Sequence, residues 1–234
     1  MPVVFGLLII GAYLLGSVPA AYLIARWSRG IDLRRHGSGN IGSTNLVYST
    51  SKLVATPVII FDLGKGALMV GVAHLLGLGI VAEVTVALAT IIGHNWSVFL
   101  RFGGGRGLLT TLGVAFMLPS INGMLPWAII AALTIVVIVL FIARSVPLGT
   151  GSGVFVLPLI GWGLGEPFPI ILGYVLIFLI VVAKRTAVPR TAIAASLSYK
   201  QLFVNRLLFD RDIRDRKAWI DRKPSEQQGK QREG

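Results

Sequence analysis

Three short polar segments interrupt an otherwise apolar chain, and their residue types suit the binding of phosphoryl groups. In the stretch from Asp32 to Asn45, DLRRHGSGNIGSTN, Gly37, Gly39 and Gly42 free the backbone to aim N–H groups at one point. Ser38, Asn40, Ser43, Thr44 and Asn45 add short polar side chains around that point. In the stretch from Gly93 to Gly107, GHNWSVFLRFGGGRG, three glycines (Gly103, Gly104, Gly105) precede Arg106 and Gly107. An apolar run opens there with Thr110 and Thr111 in its first turn, so backbone donors, a helix N-terminus and a guanidinium fork converge on one anion-sized place. His94 and Asn95 close the apolar run that comes before. The third segment, Asp62-Leu-Gly-Lys-Gly66, lies inside an apolar run. Its Asp62 and Lys65 share a helix face, and burying them is costly unless they pair or line a polar cavity.

Each segment also has a purely structural reading. His94 could satisfy a carbonyl at a helix end, Arg101 could be an interfacial anchor, and Asp62 with Lys65 could be a structural ion pair. Other chemistries find little to work with. There is no cysteine, no His-x-x-x-His and no second carboxylate near Asp62, so neither a metal cage nor a disulfide is expected. GGGRG also lacks the spacing and the Lys-Ser/Thr pair of a nucleotide-binding Walker loop, so no cofactor is expected.

The elements that must position these residues follow from composition. The 234 residues are 54% apolar and 14% charged with mean hydropathy +0.78, which excludes an ordinary soluble domain. A net charge of +12 would point to nucleic acid in a soluble protein. At this hydropathy the expected partner is instead a lipid bilayer with an anionic inner leaflet, and no nucleic acid. Seven runs approach the ~20 residues that a spanning helix needs: 3–25, 54–76, 81–97, 107–121, 126–143, 147–163 and 168–183. The fourth is short enough to be tilted or to span only in part. The fold class is therefore all-α, a polytopic membrane helix bundle of about seven transmembrane helices.

With the N-terminus outside, every Lys and Arg except Lys65 falls on the inner side, and the outer loops carry none. That arrangement places the C-terminus and all three polar segments toward the cytoplasm. Trp127 and Trp162 then lie near the outer ends, and Trp27 and Trp96 near the inner ends, as interfacial aromatics do. The first run has no basic residues before it and is expected to be a retained helix rather than a leader. Residues 1–183 form the transmembrane domain. Residues 184–234, with 13 basic and 6 acidic residues, form a basic cytoplasmic tail in which 198–213 could lie as an amphipathic helix on the inner leaflet.

Taken in order, Gly16-Ser-Val-Pro-Ala-Ala-Tyr-Leu-Ile-Ala25, Gly37-Ser-Gly-Asn-Ile-Gly-Ser-Thr-Asn45, Asp62-Leu-Gly-Lys-Gly66 and the stretch from Gly93-His-Asn to Gly113 resemble the PlsY-type acyl-phosphate:glycerol-3-phosphate acyltransferase family of bacterial membranes. The resemblance runs over roughly residues 10 to 115. It implies transfer of a fatty acyl group from acyl-phosphate to the 1-hydroxyl of glycerol 3-phosphate, giving lysophosphatidate for phospholipid synthesis at the bacterial inner membrane. It implies Ser38, His94 and Arg106 at the catalytic centre. Gly37, Gly39, Asn40, Thr44 and Asn45 would hold substrate from the first loop, and Gly103, Gly104, Gly105, Gly107 and Thr110 from the second. Asp62, Lys65 and Asn95 belong to the same set and would position the loops. The hydroxyl's proton would go to His94 or to the substrate's own phosphate, whose second pKa is about 6.

The chain departs from the family pattern at three places. Tyr48 stands where an arginine is usual, Arg106 stands where a lysine is usual, and Lys-Arg-Thr-Ala-Val-Pro-Arg at 184–190 has neither the His nor the Asn of the third motif. Asn205-Arg-Leu-Leu-Phe-Asp-Arg-Asp212 is a loose candidate for that motif, with different spacing. Three alternatives stand beside acyl transfer. A relative could bind phosphate or lipid without transfer, glycine-broken helices with an intramembrane Asp and Lys also suit a transporter, and Ser38 with His94 could serve a serine hydrolase. Oligomeric state is not encoded in any of these features.

Overall fold

The structure, a computed structural model, describes residues 1–188 and 191–222. Among the described residues the chain forms helices and no strand beyond an isolated bridge between Ser97 and Gly103. In chain order the helices are α1 (Pro2–Ser17), α2 (Ala20–Arg29), α3 (Ser43–Ser49), α4 (Lys52–Leu75), α5 (Ile80–Asn95), α6 (Leu108–Ile121), α7 (Trp127–Ala143), α8 (Val146–Gly163), α9 (Phe168–Thr186), α10 (Tyr199–Phe209) and α11 (Arg216–Asp221). All seven apolar runs are helical, with ends within a few residues of those expected.

The first run is divided. Pro19 has no N–H to give a helix and forces its predecessor out of the helical region, so Val18 sits at φ −57°, ψ 113° between α1 and α2. The combined α1 and α2 segment, α4, α8 and α9 are each long and apolar enough to cross a membrane. α5, α6 and α7 are apolar but shorter, at 16, 14 and 17 residues. At ~1.5 Å per residue, α6 reaches only about two thirds of a hydrocarbon core.

Glycines set the close helix contacts. A Cβ on Gly16 would strike the Thr90 carbonyl and one on Gly93 the Tyr13 carbonyl, so α1 and α5 pack backbone to backbone. Gly66 against Thr110 and Gly113 against Leu63 do the same for α4 and α6. Dispersion contacts at this separation, together with the polar atoms they bring together, supply association energy that apolar side chains alone do not supply in lipid. The main core lies among α4 to α9, with Ile91, Leu118, Leu157, Ile170, Tyr174 and Ile177 buried. A second cluster joins α2 and α3 to the start of α4 through Leu33, Leu46 and Val58. Large apolar side chains such as Leu7, Leu68, Phe141 and Phe155 are exposed, which is the surface that lipid chains cover.

The alternation of helices gathers the loops at 30–51 and 96–107 and the described residues after α9 at one end of the bundle. The far end is pinned by Glu83, which takes bonds from His74 Nδ1 at 2.8 Å and Asn122 at 2.7 Å. The described part of the basic tail is more regular than its composition suggests. α10 opens with a capping box between Ser198 and Gln201, buries Leu202, Asn205 and Arg206, and packs against α8 and α9 rather than standing apart from them. The last twelve residues of the tail, 223–234, lie outside the described residues.

The backbone contact at Gly93 leaves no room for a side chain. Gly93→Val should lower the stability of the detergent-solubilised protein by about 1–3 kcal/mol or more, read as a drop in thermal midpoint, whereas Gly6→Val, where a Cβ meets nothing within 4 Å, should leave it unchanged.

Candidate active site

The centre of the site is the buried ammonium of Lys65. Its Nζ donates to the Gly16 carbonyl at 3.1 Å, to Asp62 Oδ1 at 2.7 Å and to His94 Nδ1 at 2.9 Å. Three N–H bonds meet three acceptors, one from α1, one from α4 itself and one from α5. Both side chains of the ion pair are almost fully enclosed, 0% exposed for Lys65 and 4% for Asp62. An ammonium can only donate, which assigns Nδ1 as the acceptor and the proton of the neutral ring to Nε2; Nδ1 also lies 3.5 Å from Asp62 Oδ1. Nε2 faces Gly105, where a Cβ would collide with it and with the Ile41 carbonyl.

The second glycine loop wraps this histidine. Ser97 N–H donates to the Gly103 carbonyl at 2.9 Å, and Gly105 N–H to the His94 carbonyl at 3.1 Å. Gly104 packs on the carbonyls of His94 and Asn95. Gly107, at φ +66°, turns the chain into α6 beside the Asn95 side chain. Both amide atoms of Asn95 are buried with no hydrogen-bond partner, as are the hydroxyls of Thr110 and Thr111. These are unused polar groups around a glycine turn and a helix N-terminus, the arrangement that takes up an anion.

The first loop is organised differently from the open nest its glycines suggest. Asn45, buried at the start of α3, donates through Nδ2 to the carbonyls of Leu33, His36 and Asn40, and accepts from Ser38 N–H at 3.1 Å. The Gly39 and Asn40 N–H groups go to the His36 carbonyl and Ser38 Oγ. Asn45 is therefore the loop's internal bracket, with its amide committed to the protein. Gly37 and Gly39 adopt φ +56° and +78°, as the turn requires. Ser38 and Thr44 are exposed and Asn40 is half-buried. Ser38 Oγ bonds Asn40 and His94 bonds Lys65, so no serine–histidine pair is assembled.

The two loops meet at Ile41. A narrow cleft of about 10 Å³, room for about one water, is lined by Ser17, Ile41, Asp62, His94, Gly104 and Gly105 among others, with Val18, Pro19, Ala20 and Ala21 as its apolar side. Of the expected residues, Asp62, Lys65, His94, Gly104 and Gly105 are brought together here. Asn95, Gly107 and Thr110 sit just behind, and Ser38, Thr44 and Asn40 lie on the outer side of the first loop.

Arg106 leads to residues that sequence reasoning left in the tail. Its Nε lies 2.9 and 3.0 Å from the two carboxylate oxygens of Asp210, and Nη1 donates to the Lys184 carbonyl at 2.5 Å. The loose third-motif candidate is thus delivered to the second glycine loop. Within it, Arg206 pairs with Asp212 at 2.7 Å, and Asn205 holds the Asp212 carbonyl. Burial pushes the Asp212 carboxyl up, but the bonds from Arg206 and from Thr191 N–H and Oγ1 outweigh that and hold it below its ordinary value. Further on, Arg222 Nη2 donates to the Ser38 carbonyl at 3.1 Å while its guanidinium stacks on Trp219, and Arg216 lies over the Tyr48 ring at 5.3 Å. Ser17 was missed as well, although it stands in the Gly-Ser-Val-Pro stretch. Its hydroxyl is buried without a partner at the cleft, and its carbonyl accepts from Ser97 Oγ at 2.5 Å.

Known proteins resemble this chain in sequence and fold. The model of the family described as glycerol-3-phosphate acyltransferase matches residues 6–193. Glycerol-3-phosphate acyltransferase 5 of Dehalococcoides mccartyi is 42% identical over 228 residues, covering 95% of each chain. Among solved structures, PlsY (YgiH), an integral membrane glycerol 3-phosphate acyltransferase in its glycerol 3-phosphate form, superposes with TM-score 0.71 at 28% identity, covering 78% of this chain and 88% of that one. The lysophosphatidic acid form of the same protein gives TM-score 0.67 at 26% identity, over 77% and 87%.

Two outcomes follow from the buried charges. Lys65→Met, which leaves Asp62 with only the His94 ring at 3.5 Å as a partner, should destabilise by about 3–5 kcal/mol, and Asp62→Asn added to it should restore much of the thermal midpoint. For Asp212 the folded carboxyl is the stronger acid, so its contribution is complete above the unfolded value near 4. It is lost as pH falls through the lower folded value. Proteolytic resistance of residues 191–222 should hold from pH 7 to about 5, weaken below about 4, and be low at both pH values in Asp212→Asn.

Proposed function

The chain belongs to the glycerol-3-phosphate acyltransferase family, and from that premise we propose that it transfers a fatty acyl group from acyl-phosphate to the 1-hydroxyl of glycerol 3-phosphate, giving lysophosphatidate and inorganic phosphate. It is an integral membrane acyltransferase of phospholipid synthesis. The observation that carries the reading onto this chain's own residues is the meeting of the two glycine loops at the cleft of His94, Ile41, Gly104 and Gly105, with Arg106 alongside.

The donor is a mixed anhydride with a good leaving group, so the protein's task is positioning and charge stabilisation rather than covalent catalysis. The glycerol hydroxyl attacks the acyl carbonyl, a carbon–oxygen bond forms, and the bond from that carbon to the phosphate oxygen breaks. With its proton on Nε2, His94 serves as a hydrogen-bond donor toward the cleft. The proton lost by the hydroxyl goes to a phosphate oxygen of the substrates, whose second pKa near 6 suits it. Lys65 holds the ring in that tautomer. Arg106, Gly107, Asn95 and Thr110 hold the glycerol phosphate, and the apolar wall from Val18 to Ala21 takes the first part of the acyl chain. Asn45 and Asp62 act by fixing the loops and Lys65, while Ser38, Asn40 and Thr44 present the first loop to substrate. Every basic residue but Lys65 falls at the loops' end of the bundle or in the tail. That distribution supports a site on the cytoplasmic face of a bacterial inner membrane, with the N-terminus outside and the basic surface against anionic lipid.

Purified protein supplied with acyl-phosphate and glycerol 3-phosphate should release equal amounts of lysophosphatidate and inorganic phosphate. Absence of both products from folded protein overturns the assignment. Arg106→Ala should raise the KM for glycerol 3-phosphate by roughly 10- to 100-fold, the loss of a charged hydrogen-bond donor, and an unchanged KM removes Arg106 from the site. His94→Gln, which keeps a donor, should retain more kcat/KM than His94→Ala.

A further inference from the structure

Lys184 ends α9 beside the second glycine loop. Its Nζ lies 5.3 Å over the Trp96 ring and makes no hydrogen bond or ion pair among the described residues. A lysine that merely anchors a helix in the interface extends its ammonium past the helix end into water. This one is half-buried and folds back onto the segment that joins His94 to the glycines. The charges that act on it are those of Arg106 and Asp210.

The local charge count does not close. Arg106 pairs with Asp210 and donates to the carbonyl of Lys184 itself. Arg185, next along α9, gives its guanidinium to the carbonyls of Leu207 and Pro147 and to Thr150 Oγ1, and so finds no carboxylate of its own among the described residues. Asp212 is taken by Arg206. Among the described residues Arg106, Lys184 and Arg185 therefore share Asp210 alone, a surplus of about two positive charges in a half-enclosed place, where like charges repel more strongly than in water. A phosphoryl dianion would cancel that surplus. Independently of charge, the fully buried Asn95 amide beside Gly107 has both polar atoms without partners, and it flanks the same loop.

We propose that Lys184 binds a phosphoryl dianion, forming with Arg106 a two-cation cradle at the Gly103–Gly107 loop. This rests on the acyl-transfer reading, in which two phosphorylated substrates enter and inorganic phosphate leaves. The chemistry is common to both, and kinetics tell them apart. In Lys184→Met the KM for one of them should rise by about tenfold or more with kcat within a few-fold, and Lys184→Arg should keep most of the affinity. A rise confined to glycerol 3-phosphate agrees with Arg106 holding the acceptor, and one confined to acyl-phosphate moves the cradle, Arg106 included, to the donor.

Binding of inorganic phosphate provides a readout that needs no turnover. Phosphate should raise the thermal midpoint of the wild-type protein, and this protection should shrink in Lys184→Met and persist in Lys184→Arg. Unchanged KM values for both substrates, or phosphate protection equal in Lys184→Met and wild type, overturns the cradle. If Lys184→Met does not fold, Lys184→Gln takes its place on the same two readouts. Wild-type protein that binds phosphate but makes no lysophosphatidate would refute acyl transfer while leaving the cradle standing.

Discussion

The Lys65 ammonium sits in the apolar interior with all three of its protons committed, and most of the site follows from where its acceptors come from. An ion removed from water costs several kcal/mol unless its geometry and hydrogen bonding are complete. Asp62, one turn away on α4, supplies the charge. The Gly16 carbonyl supplies a second acceptor because α1 stops at Ser17. Pro19 cannot continue the helix, so the last carbonyls of α1 are released from intrahelical pairing. Lys65 takes one of them and Ser97 takes the next, that of Ser17. The proline break thus ties α1 to both α4 and the second glycine loop. The third acceptor, His94, has its tautomer and orientation set by the same ammonium, so one buried charge fixes the helix packing and the ring that faces the cleft.

Glycine has two separate uses here, and both depend on the lack of a Cβ. At positions 16, 93, 66 and 113 it lets helix backbones touch, bringing α1 against α5 and α4 against α6. At 104, 105 and 107 it lets a loop lie against the His94 and Asn95 backbone and side chains. The second use relies on the first. If α5 stood a side chain's width from α1, Lys65 could not bond both the Gly16 carbonyl and His94, and the glycine loop would wrap a ring with no fixed direction.

The apolar runs were readable because a bilayer demands an unmistakable length and composition, and the loops because glycine next to short polar residues is rare in such a chain. Asp62 and Lys65 were readable as a pair from their spacing alone. The role of Asn45 was not. Whether an amide serves a ligand or its own loop depends on which carbonyls turn toward it, and that is decided by the turns at Gly37 and Gly39. The tail's dense charge suggests a segment at the lipid surface rather than one packed on the bundle. Its burial depends on pairings that cancel charge locally, Arg206 with Asp212 six residues on, and on contacts such as Arg222 with the Ser38 carbonyl that span nearly the whole chain. Periodicity carries no trace of a contact between residues so far apart.

The C-terminal segment lies largely past residue 193, where the family match ends, yet it touches both glycine loops. At the second loop it presents a carboxylate, Asp210, to Arg106. At the first it presents a guanidinium, Arg222, to the Ser38 carbonyl. The two contacts differ in what a phosphoryl group would do to them. A carboxylate carries one negative charge and a phosphate dianion nearly two, so a dianion competes with Asp210 for Arg106 on favourable terms. Arg222 bonds a neutral carbonyl, and an anion nearby would favour its charge rather than displace it. The segment is held at the second loop by an ion pair and at the first by a hydrogen bond to a neutral carbonyl, with α10 packed on α8 and α9 between them.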